Sequence, residues 1–98
     1  MMSISMFFKN RRKKRLRQEI YNLKIEAAKL NSSAESFLKS ANQADILRQM
    51  PHNMVDTKDF IELSNIAYDS YEHSAIDHQM YINTLDEIKH LEEELKNL

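Results

Sequence analysis

Nine residues in the first half of the chain fall into two interleaved rows of period seven. Leu16, Leu23, Leu30, Phe37 and Ala44 form one row, and Ile20, Ala27, Ala34 and Ala41 form the other. Steps of three and four place them all on one stripe of an α-helix, the d and a positions of a heptad seam. Three of the four a positions are alanine, so a neighbouring helix can come close, but a parallel two-stranded zipper would be thinly packed. The seam calls for bulky residues opposite its alanines. After the middle of the chain the period returns, with Phe60, Ala67, Ser74, Tyr81, Ile88 and Leu95 in one row and Ser64, Tyr71, His78, Leu85 and Glu92 in the other.

Between the two patterns stands Pro51, the only proline. Proline lacks the donor that an interior helical turn needs and disfavours helical geometry in the residue before it. The pattern predicts a helix over about 9–50, a turn over 51–56 and a second helix over about 57–96. Asp56 or Thr57 is placed to cap the second helix, with Asp59 in its first turn. Asn31-Ser32-Ser33 is a weaker punctuation, because Ser32 and Glu35 have capping-box spacing; a continuous first helix is the favoured reading and a kink there the alternative. Residues 1–8, with Ile4, Met6, Phe7 and Phe8, read as a flexible apolar N-terminal stretch ahead of a single domain at 9–98.

Folding the chain back near residue 53 sets residue i beside roughly residue 107 minus i, the arithmetic of a helical hairpin with a short connection. Leu47 then meets Phe60, Ala41 meets Ala67, Phe37 comes near Tyr71, Ala27 lies beside Tyr81 and Met80, Leu23 meets Leu85 and Leu16 meets Leu91. The fold expected is all-α, a long antiparallel, coiled-coil-like hairpin. A pair of helices that slender buries little on its own. Ile61, Tyr68, Ala75 and Ile82 recur at sevens on one flank of the second helix, and Ile66, Ile76 and Met80 lie on a further face beside His73. These stripes suggest a homodimer forming a four-helix bundle, with a third packing element from a kinked first helix as the alternative.

Composition narrows the function classes. The 98 residues include no Gly, no Cys and no Trp. Without glycine there is no phosphate-cradling loop and no nucleophile elbow; without cysteine there is no disulfide or thiolate zinc site, which fits a cytoplasmic protein. The net charge of −1 conceals an asymmetry. Residues 1–50 hold eleven basic and four acidic side chains, and residues 51–98 hold three and eleven. Seven cations crowd Lys9, Arg11, Arg12, Lys13, Lys14, Arg15 and Arg17, and the hairpin register sets Arg12 to Arg15 opposite Glu92 to Leu95. Apolar residues before charges are the reverse of a signal peptide, and no stretch reaches the roughly 20 residues of a membrane-spanning helix.

Candidate chemistry is sparse. Asp69, His73 and Asp77 share a helix face at steps of four, as metal ligands do, but a carboxylate-bridged bundle needs a Glu-x-x-His element on each of two helices, and only Glu87 to His90 has that form. Ser64, Ser70 and Ser74 lie within a helix where nothing provides an oxyanion hole. A helical nuclease of the Arg-x(4–6)-His kind is excluded by spacing, since only three residues, one of them proline, separate Arg48 from His52. No catalytic, cofactor-binding or metal-binding residue is expected.

The basic run followed by a leucine heptad superficially resembles a basic-leucine-zipper protein over residues 9–37. Asn10 and Arg17 are seven apart rather than eight, and alanines fill the a positions, so that family is set aside. The reading that remains is a non-enzymatic interaction protein: an adaptor, a chaperone-like subunit or a small phage- or mobile-element-type inhibitor of a larger protein. Its partner-binding residues are Ile61, Ile66, Tyr68, Ile76, Met80 and Ile82. The alternative is nucleic-acid binding through the seven cations of 9–17, with peripheral membrane contact through Phe7, Phe8 and the same cations ranked below it.

Overall fold

Ser3 begins the first helix. Its hydroxyl oxygen accepts the Met6 backbone N–H at 3.1 Å, and its carbonyl accepts that of Phe7 at 3.0 Å. In a computed structural model that describes residues 3–51 and 53–98, the chain forms two helices, α1 (Ile4–Arg48) and α2 (Thr57–Lys96), with no strand among the described residues. Residues 4–8 are therefore helical, and α1 starts five residues before the expected Lys9. Nothing in that stretch breaks a helix, so α1 runs back to the first residue able to cap it. Met1 and Met2, the rest of the stretch read as flexible, lie outside the described residues.

Helix α1 is continuous through Asn31-Ser32-Ser33. Ser33 does not turn back to cap a new helix; its hydroxyl donates across to Asp77 Oδ2 at 2.5 Å. The last turn of α1 closes with short-range bonds from Gln49 N–H to the Ile46 carbonyl and from Met50 N–H to the Leu47 carbonyl, both 3.2 Å. The Pro51 carbonyl then accepts from Met54 at 2.8 Å and Val55 at 3.1 Å. Asp56 caps α2, its Oδ1 accepting the Asp59 N–H at 2.8 Å.

The hairpin divides into two units, one of residues up to 29 with 81–98 and one of residues 30–80. In the first unit Ile20, Ala27 and Ile88 form a buried cluster against which Leu23, Tyr81, Leu91 and Leu95 pack, and Leu16 is 1% exposed. In the second unit Ala34, Ala41, Ala44, Ala67 and Ser74 are buried. There the Ser74 hydroxyl donates to the Ala34 backbone carbonyl at 2.8 Å, a contact that only closely approaching helices permit. The Ser74–Ala34 and Arg12–Glu94 pairs have numbers summing to 108 and 106, either side of the 107 expected from the pattern.

All nine seam residues of α1 are buried or half-buried. The second row of α2 is one residue earlier than the heptad count suggested. Leu63, Ser70, Asp77, Thr84 and Leu91 turn inward, whereas Tyr71, His78, Leu85 and Glu92 are exposed and Ser64 is half-buried. Small Ser70 and Thr84 suit a narrow gap between helices that a tyrosine would wedge open. Tyr71 instead reaches round the side of α1 and donates its hydroxyl to Asn42 Oδ1 at 2.9 Å. Phe37 consequently stacks on His73, ring centres 5.1 Å apart and planes at 24°, rather than meeting Tyr71. Nor do Leu47 and Phe60 make a buried pair: both are exposed, and the Arg48 guanidinium lies 6.0 Å from the Phe60 ring centre.

Candidate interaction surface

Apart from Ile88, the residues that α2 buries among those described are small, and much of what it leaves in solvent is large. In the second unit Ile61, Ile66, Tyr68, Ile76 and Met80 are between 46% and 73% exposed, and in the first unit Ile82 is 38% exposed. All six sequence-predicted partner-binding residues thus lie on the surface of the single chain. Steps of seven place Ile61, Tyr68 and Ala75 on one flank of α2, with Tyr71 beside them between that row and the seam. Ile66, Ile76 and Met80 lie on the opposite flank, with His73. Tyr68, Tyr71 and Glu72 line an open depression, and Asn31, Ala34, Glu35, Leu38, Ser74 and His78 line another. Exposed Tyr71 and Leu38 extend the apolar surface beyond the residues picked out by period. Tyr71 escaped notice because the heptad count placed it in the seam.

Polar side chains of both helices surround Tyr71 at the edge of the first flank. Tyr71 is fixed by Asn42, with Asp45 Oδ2 3.5 Å from the same hydroxyl. Asp45 in turn accepts from Arg48 Nε, whose Nη1 lies 3.5 Å from Ser64 Oγ. An aromatic ring tied at its polar end presents its apolar body at little further entropic cost, as suits a contact surface.

The basic run divides differently from the expected charge complementarity. Arg12 bonds Glu94, and that hydrogen bond together with the Glu94 charge raises the guanidinium pKa above its ordinary value. Glu92 lies 4.0 Å from Lys24 rather than facing the run. Among the described residues Lys9, Arg11, Lys13, Lys14, Arg15 and Arg17 make no ion pair, and all but half-buried Lys13 are exposed. Their register faces only the end of α2, where acidic side chains are too few to neutralise seven cations. Phe8, Arg11, Arg12 and Arg15 line one depression at the start of α1.

The reactive-looking residues are occupied otherwise. Asp77 accepts from Ser33 and His73 stacks on Phe37, which separates two of the three side chains with metal-like spacing. No group of three or more His, Asp or Glu that could hold a metal ion occurs among the described residues. Ser74 spends its proton on the Ala34 carbonyl. His52, weighed with Arg48 as a nuclease pair, lies outside the described residues. No helix is long and apolar enough to cross a membrane among the described residues. Comparison with known proteins finds no matching family model, no matching curated protein and no matching solved structure.

Proposed function

We propose that the chain is a non-enzymatic protein–protein interaction module acting through the apolar flanks of α2. One observation carries this reading. Among the described residues the buried core is chiefly alanine, with Leu16, Ile20 and Ile88 its large members, while Ile61, Ile66, Tyr68, Ile76 and Met80 stand in solvent. Apolar surface of that extent on a small protein marks a place where another surface docks. A second copy is the first occupant to test, since two hairpins side by side make a four-helix bundle and bury the Ile61, Tyr68 and Ala75 flank. The flank of Ile66, Ile76 and Met80 then remains for a larger protein, as in an adaptor or an inhibitor.

Sedimentation equilibrium at roughly tens of micromolar distinguishes the cases. The unaltered chain is expected to be a dimer and I61E/Y68E a monomer that keeps its helical circular dichroism. An unaltered chain that sediments as a monomer would remove the dimer and leave both flanks to a different protein. Unchanged association of I61E/Y68E would show that this flank is not the interface.

A further inference from the structure

We propose that the start of α1 docks on the surface of an anionic lipid bilayer, with Ile4, Phe7 and Phe8 entering the boundary between headgroups and acyl chains and the cations behind them lying among the lipid phosphates. The inference does not depend on what covers α2.

Three observations meet at this end of the molecule. First, every residue of 4–8 at the start of α1 is exposed. Ile4, Phe7 and Phe8 are between 52% and 77% exposed, and the two phenylalanine rings meet edge to face with centres 5.7 Å apart. Second, the scale fits an end-on entry, because five helical residues rise about 7 Å, comparable with the roughly 5–10 Å to which a helix lying in the interface buries its apolar face. Third, charge follows directly behind. Ile4, Phe8, Arg11 and Arg15 share a face at steps of four, three and four, and Phe7 leads to Lys14 on the next. No acidic residue precedes Glu19, and the exposed cations Lys9, Arg11, Lys14, Arg15 and Arg17 form no ion pair among the described residues.

A nucleic acid would satisfy the cations and leave the isoleucine and both phenylalanines in water. A bilayer bearing anionic headgroups accounts for both halves of the patch, since each cation near such a surface is attracted to it and the apolar tip loses its contact with water.

Co-sedimentation with phosphatidylcholine vesicles, with and without about one-third phosphatidylserine, tests the proposal. The unaltered chain is expected on the anionic vesicles and in solution beside the neutral ones. F7S/F8S keeps every charge, and because both rings are more than half exposed it keeps the fold; its partition onto anionic vesicles should fall at least about tenfold. R11E/K14E/R15E, which leaves the Arg12–Glu94 pair in place, should not sediment with either vesicle. The chain has no tryptophan, so F8W adds a single reporter whose emission should shift to the blue on anionic vesicles if the tip enters the bilayer. Failure to bind anionic vesicles overturns the proposal, as does equal binding by F7S/F8S or an unshifted F8W emission. Salt-dependent binding to duplex DNA by both the unaltered chain and F7S/F8S, without vesicle binding, would assign the cations to nucleic acid instead.

Discussion

Ser74 shows what a seam of alanines requires of the residues facing it. Its hydroxyl reaches the backbone carbonyl of Ala34, so the two helices approach closely there. Ser74→Ala should cost about 0.5–1.5 kcal/mol, the worth of one neutral hydrogen bond, read from a urea titration. Ala41 is 0% exposed, and Ala41→Leu should lower stability by about 1–3 kcal/mol because the helices would have to part to admit the longer side chain. Leu16→Ala should cost about 2–5 kcal/mol, whereas Leu30→Ala and Phe37→Ala should cost less than they would at fully buried sites, since both are only half-buried. This scale also explains what the sequence conceals. The α1 seam is legible because its leucines and alanines have no rival row. In α2 the rows three and four residues after Phe60 are both mixed: the inward row has Leu63 and Leu91 at its ends but Ser70, Asp77 and Thr84 between them, and its neighbour has Tyr71 and Leu85 where those polar residues stand. The leucines at its two ends favour the inward row, and in the middle small Ser70 suits a narrow gap better than Tyr71, a matter of size that hydropathy does not record.

At the scale of the element, punctuation was readable where a residue can act in only one way. Pro51 and Asp56 bracket the turn as their chemistry dictates, and Asp56→Ala should cost about 1 kcal/mol by leaving the Asp59 N–H without its partner, a change visible as an earlier thermal transition. Ser3 and Ser32 look equally able to cap a helix, yet only Ser3 precedes one. The difference lies in what the surroundings offer. At Ser32 the helix already rests on α2 through half-buried Asn31 and Ser33, and Ser33 finds its acceptor across the gap, so no gain follows from breaking the backbone ladder. Exposed Ser32→Ala should accordingly stabilise the protein by up to about 0.5 kcal/mol, as expected of a site inside a continuous helix; a loss of more than that would show that the serine was terminating one.

For the whole molecule, the opposed charges of the two halves connect the helices less than their numbers suggest. Only Arg12–Glu94 and Lys24–Glu92 bridge α1 and α2 among the described residues, both on the surface. Raising salt from about 0.1 M to about 1 M should therefore move the melting temperature by only a few degrees, because exposed pairs contribute little and are screened. The bonds that do join the helices also differ in how much chain they close. Arg48 to Ser64 spans 16 residues, Tyr71 to Asn42 spans 29, Ser74 to Ala34 spans 40 and Arg12 to Glu94 spans 82. Closing the last of these first would confine the longest loop, whereas closing the first makes each later one a short extension of a pair already aligned. The hairpin should thus assemble like a zip fastener from the turn outward. Ala44→Gly beside the turn should slow refolding, while Leu16→Ala at the far end should leave refolding almost unchanged and speed unfolding, so that stopped-flow kinetics of these two variants would give the direction in which the molecule closes.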